Sequence, residues 1–192
     1  MQTRPMMVPI GILLLGLCVS AQTGQFAVFP KAAQLASPNG QLLIRNTDRE
    51  ASQADIDGTF HSLWLVEAAT GRSRKLCNYV GVAAVAWSEN DSVLVTEYVG
   101  KRTSRALVFS ANTGTDPVML DASALTQLVP VDLRPALRGN DHVFVEAVRV
   151  QRNDLFLRVW GYGAHDSPGF KWTCKYSLTD ATIACQERGA SK

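Results

Sequence analysis

Histidine is scarce in this 192-residue chain, and His61, His142 and His165 stand far from one another. Zinc sites draw at least one pair of ligands from a local stretch, so this spacing predicts no zinc centre. The sequence motifs that carry catalysis are missing as well. There is no HExxH, no G-x-S-x-G, no Walker loop and no dinucleotide-binding glycine run. Basic blocks are short, the longest being Arg72-Ser73-Arg74-Lys75, and the formal net charge is only +2. Nucleic-acid binding requires several cations on one face, so no nucleic acid is expected as a partner. Asp55-Ile56-Asp57-Gly58 places two carboxylates beside a turn but lacks the downstream glutamate of a calcium loop. No metal and no cofactor are expected.

Hydrophobic residues make up 46% and charged residues 19%, which describes a globular chain and not a disordered one. Residues 1–21 read as a secretory signal, with Arg4 as the positive end, an apolar stretch from Ile10 to Val19, and Val19-Ser20-Ala21 before the cut. The apolar stretch is shorter than the roughly 20 residues of a membrane helix, so no stable span is expected once the signal is removed. Cys18 raises the alternative of a lipoprotein. The residue before a lipidated cysteine is small, however, and Leu17 is not. Residues 22–192 are then one exported domain, periplasmic or secreted.

Export permits disulfides. Cys174 and Cys185 flank a stretch that reads as two strands about a turn centred between Thr179 and Asp180, which sets the two cysteines opposite each other. A four-residue loop would make them a non-hydrogen-bonded pair, where β-carbons come closest. Cys77 is left over and reads as a core thiol. Lys75 is the one nearby cation on a shared strand face that could activate it.

Three stretches repeat at intervals of about 50 residues, the length of a four-stranded propeller blade. They are Ser37-Pro38-Asn39-Gly40 before Leu42-Leu43-Ile44, Ser88-Glu89-Asn90-Asp91 before Val93-Leu94-Val95, and Arg138-Gly139-Asn140-Asp141 before Val143-Phe144-Val145. Each is a polar turn that releases a mostly β-branched run. Turn signals recur every 8–12 residues and no long amphipathic helix is visible, so the chain reads as all-β. Units fall at about 32–80, 81–127 and 128–187. One helical turn is expected at Ser123–Leu128, and a tether from Gln22 to Lys31 packs Phe26 and Phe29 on the body.

The run ending Leu63-Trp64-Leu65-Val66 leads to Thr70-Gly71, and the second unit carries Ala86-Trp87-Ser88-Glu89-Asn90-Asp91 and its own Thr113-Gly114. Together with Ser37-Pro38-Asn39-Gly40, this pattern resembles the blades of TolB-like and other WD-repeat-related propellers. Glu89 stands where the pattern has proline. Leu137-Arg138-Gly139-Asn140-Asp141 replaces the Trp-Ser-Pro start, and the third unit has no Thr-Gly turn. The resemblance implies a propeller-like array of about three four-stranded antiparallel blades. Closed rings have four to eight blades, so three would stand open or be completed by dimerisation. A small β-sandwich is the alternative.

The leading candidate for contact with a partner is the glycine-rich loop from Gly161 to Gly169 and its flanks: Trp160, Tyr162, His165, Asp166, Phe170 and Trp172. Glycine frees the backbone there, and aromatic side chains dominate binding hot spots. The polar excursion from Asn46 to Thr59 is a second candidate. No residues are selected for catalysis. The expected function is a non-enzymatic protein-binding module of the cell envelope, whose partner is another envelope or secreted protein or a second copy. One version is an inhibitor or immunity-type factor. The alternatives are an assembly subunit and a hydrolase.

Overall fold

A computed structural model describes residues 26–48, 61–89, 92–163 and 169–187. The signal-like residues 1–21, Cys18, Asp55 to Gly58, His165 and Asp166 lie outside them. The described chain is all-β apart from two short helices. After a three-residue strand β1 (Ala27–Phe29), the chain makes three antiparallel meanders. The first is β2 (Gln34–Ala36), β3 (Leu42–Asp48), β4 (His61–Glu67) and β5 (Ser73–Tyr79). The second is β6 (Ala83–Trp87), β7 (Ser92–Val99), β8 (Thr103–Ser110) and β9 (Val118–Leu120). Helices α1 (Ala122–Leu128) and α2 (Arg134–Arg138) lead to the third: β10 (His142–Gln151), β11 (Asp154–Tyr162), β12 (Phe170–Ser177) and β13 (Ile183–Glu187).

The repeated serine has a local job. Ser37 Oγ accepts from the Leu42 amide at 3.0 Å and donates to Asn39 Oδ1 at 2.7 Å, closing the turn into β3. Ser88 Oγ accepts from the Ser92 amide at 2.9 Å at the entry to β7. Both serines are buried, so each satisfies an amide that would otherwise lack water. Gly71 takes a left-handed φ of +72° in the turn between β4 and β5. Gly114 has no such φ, so the second Thr-Gly does not use glycine in the way its sequence suggests.

Alternation along the second meander sends its side chains into two separate cores. Val85, Trp87, Val93, Val95, Leu107 and Phe109 pack with Ile44, Leu63, Leu65 and Tyr79 of the first. Leu94, Ala106 and Leu120 pack with the two helices and with Val145, Leu157 and Trp172 of the third. A sheet covered on both faces reads as a continuous apolar run, which is why Val93-Leu94-Val95 shows no polar alternation. Neither core joins the first meander to the third, so the described strands do not close a ring.

Hydroxyl groups join the second and third meanders. β10 runs parallel to β8 with one backbone register pair, Phe144 opposite Ser104. Ser104 Oγ accepts from the Val145 amide at 2.9 Å and donates to the Val145 carbonyl at 3.1 Å. Thr96 Oγ1 accepts from the Ala147 amide at 2.9 Å. Two side chains thereby replace a strand ladder. Hydrogen bonding makes β1 and β6–β13 one continuous sheet beside the four-stranded first sheet.

The segment read as a tether is partly strand. β1 pairs antiparallel with β6, Ala27 facing Val85 and Phe29 facing Ala83. Phe29 is fully buried in the first core and Phe26 packs on the second. Three residues carry too little periodicity to read as a strand. α2 was not expected either, because Pro135 breaks a helical reading except in a first turn, and the first turn is where it sits. The last hairpin follows its sequence reading. Ser177 N donates to Thr182 O across a four-residue loop, and Cys174 faces Cys185 with Cα atoms 4.0 Å apart in a disulfide. By the loop-entropy model this bond contributes about 2–3 kcal/mol.

Because Phe29 anchors β1 in the core, Phe29→Ala should cost about 3–5 kcal/mol in urea unfolding. A loss under about 1 kcal/mol would show that β1 contributes little to the fold.

Candidate functional site

The most organised group of polar and aromatic side chains lies on the outer face of the third meander. In β11, Leu155, Leu157 and Val159 point to the core, so Phe156, Arg158, Trp160 and Tyr162 point outward. Register then places Phe144 of β10 opposite Trp160, His142 opposite Tyr162, and Glu146 opposite Arg158. Phe144 stacks on Trp160 with ring centroids 4.8 Å apart and on Tyr162 at 5.9 Å. The His142 ring lies 4.9 Å from that of Tyr162. Tyr162 is 48% exposed, whereas Phe144 is buried beneath its neighbours.

Glu146 holds this face to the body. Its side chain is buried, and both carboxylate oxygens are engaged. Tyr98 OH donates to Oε1 at 2.6 Å, and Arg158 Nε donates to Oε2 at 3.1 Å. Arg158 also lies over Trp160, with Cζ 5.3 Å from the ring centroid. Burial pushes the Tyr98 phenol up to about 12, and its hydrogen bond to Glu146 adds to the rise, so it remains a donor at neutral pH. Both Glu146 oxygens and two of the Arg158 nitrogens are engaged within this trio. The arrangement positions an aromatic surface.

The six residues singled out for partner contact separate into three groups. Trp160 and Tyr162 come together on the outer face. Phe170 and Trp172 belong to the opposite face, because Trp172 pairs with core-facing Val159 and Phe170 with Gly161. Their rings lie 4.3 Å apart, and Trp172 is 1% exposed, so it offers a partner no surface. His165 and Asp166 fall outside the described residues. The glycines at the loop ends serve close packing: a Cβ on Gly161 would collide with the Phe170 ring, and one on Gly169 with the Gly161 carbonyl oxygen. Phe144, Glu146, Arg158 and Tyr98 were not singled out in the sequence. The alternation in β11 signals Arg158, but nothing in the sequence sets Tyr98 against Glu146.

At the root of the excursion that begins at Asn46, Asp48 is the last partner of His61 in the β3–β4 register. Their side chains meet at 2.7 Å. Asn46 also donates to Asp48, and Tyr79 OH donates to Asn46 Oδ1 at 2.7 Å. The His61 hydrogen bond, and then that from Asn46, hold the Asp48 carboxyl below its ordinary range. Cys77 lies apart from this network. Burial drives its thiol up to about 12, and the nearby Glu97 carboxylate adds to the rise. Lys75, the expected activating cation, is on the other face. A bulge between Leu63 and Trp64 shifts the register, so Lys75 lies over Trp64 with Nζ 5.6 Å from the ring, while Cys77 opposes core-facing Leu63.

An open depression of about 820 Å³ lies where the turns of the first two meanders meet, between Asn39, Leu42, Glu67 and Asn112. Its titratable group Glu67 is already held by Thr70 at 2.7 Å and by Arg72. Among the described residues, no three His, Cys, Asp or Glu side chains gather as a metal site. No protein-family model matches the chain, and no curated protein matches its sequence.

Two outcomes follow from these environments. The Asp48 carboxyl has a lowered folded-state pKa, so its contribution to stability is present above the unfolded value of 3.8 and is lost as pH falls through the lower folded value. In urea melts, Asp48→Asn should therefore be less stable than wild type near neutral pH, with the gap closing in acid. A gap independent of pH would remove the ionic explanation. Native Cys77 should react with iodoacetamide at pH 8 at least about a hundredfold more slowly than in urea, because so little thiolate is present. Equal rates would mean that the thiol is open and ionised.

Proposed function

We propose that the chain is an exported, non-enzymatic protein-binding module of the cell envelope, with its meanders arranged as an open array of propeller-like blades. The observation that carries this reading is the outer face of the third meander. Trp160 and Tyr162 stack on Phe144 there, and Tyr162 is about half exposed. Aromatic side chains on a rigid sheet supply contact area at little entropic cost, as in binding hot spots. The engaged state of Glu146, Arg158 and Tyr98 favours a recognition surface over a reaction centre.

Other observations agree with the remaining parts of the reading. The disulfide suits an oxidising compartment, as does the signal-like start of the sequence. The three antiparallel meanders and the serine turns at the entries to β3 and β7 agree with the resemblance to TolB-like blades, which is an argument from fold alone. An inhibitor or immunity-type factor is one specific form of such a module.

The test is twofold. Light scattering on residues 22–192 gives the solution mass. Co-purification from the native envelope then compares wild type with Trp160→Ala/Tyr162→Ala. A stoichiometric partner that wild type retains and the double variant loses at unchanged urea stability is the expected result. Equal recovery of the same partner by both proteins would move the binding surface elsewhere.

A further inference from the structure

The binding reading above leaves the chemistry of the partner open, and the two terminal sheet faces narrow it. On the third meander, strand register sets Phe144, Trp160 and Lys171 in one row and Arg149, Phe156 and Lys175 in another. Arg149 lies over Phe156 with Cζ 4.2 Å from the ring centroid. Among the described residues of its strands this face has two carboxylates, and both are taken: Glu146 by Arg158, and Asp154 by Lys175 at 3.2 Å. Arg149 and Lys171 are exposed and have no acidic partner among the described residues. The outer face of the first meander has the same character. Arg45, Trp64 and Lys75 form a row across β3, β4 and β5, and no described acidic side chain shares that face.

Both ends of the array thus present a tryptophan flanked by cations. Completing the array with a second copy would bring one basic face against another. Like charges opposed across an interface disfavour a partner by several kcal/mol. The same faces attract carboxylates, which can pair with the free cations while apolar groups cover the rings.

We propose that the outer face of the third meander docks an acidic segment of a protein partner, its carboxylates meeting Arg149 and Lys171 and its apolar side chains covering Trp160 and Tyr162. This rests on the protein-binding reading and adds the sign of the partner's charge.

The test uses residues 22–192 and a fluorescent peptide alternating glutamate with tyrosine, with a second peptide carrying glutamine for each glutamate. Fluorescence anisotropy should show the acidic peptide binding at least about tenfold more tightly than the glutamine peptide. The difference should collapse when salt rises from roughly 0.05 to 0.5 M. Arg149→Glu/Lys171→Glu should abolish the preference, and Arg149→Lys/Lys171→Arg should retain it, each with an unchanged urea midpoint. If both peptides bind equally and Trp160→Ala releases both, the charge proposal falls while the aromatic binding face stands. If neither peptide binds, the proposal falls, and the co-purification experiment then judges the binding reading separately. A dimer in light scattering that Trp160→Glu dissociates would also overturn it, because a second copy would then occupy the face.

Discussion

Burial of the second meander on both faces is the constraint from which the rest of the structure follows. Its strands pack against the first meander on one side and against the helices and third meander on the other. Buried apolar surface stabilises by about 25 cal/mol per Å², so a sheet with two covered faces is the natural centre of the molecule. The outer meanders need one apolar face each. Their other faces are free to carry Arg45, Trp64 and Lys75 at one end, and Trp160, Arg158 and Lys171 at the other. The chemistry available to a partner is therefore displaced to the two ends of the array.

The seam beside β10 shows how tightly that centre is specified. Removing an inward-facing strand edge from water requires a partner for each amide and carbonyl, since an unpaired buried group costs about 1–3 kcal/mol. β8 and β10 share too little register to supply these bonds through backbone alone. Ser104 and Thr96 supply them from buried hydroxyls. Glu146 adds a second connection nearby, from β10 to Tyr98 of β7. The aromatic face is consequently fastened to the central sheet through polar bonds, even though its own exposed part is largely ring surface.

Strands and turns were legible in the sequence because both have local causes. The serine turns, the β-branched runs and the Cys174–Cys185 register depend on residues a few positions apart, and the structure has them. What escaped depends on distant partners. β1 is a strand because β6 offers it an edge. Lys75 and Cys77 part company because the register against β4 skips Leu76 between them. The aromatic cluster around the Gly161–Gly169 loop looked like one surface in the linear sequence. The register of β12 against β11 turned Trp172 inward and left Trp160 outward. Composition could name the aromatics of a site, but only pairing could tell which of them share a face.

The pairing of Ala27 with Val85 has a consequence for the order in which this chain can assemble. Nearly every other strand contact joins neighbours in sequence, so each meander can form by local hairpin closure, the fast part of β folding. β1 is the exception. It is the first described strand to leave the ribosome, yet its partner edge exists only after the four strands of the first sheet have been made. Phe29 must wait unburied until β6 is made, so the first described strand cannot find its place before the whole first meander has emerged.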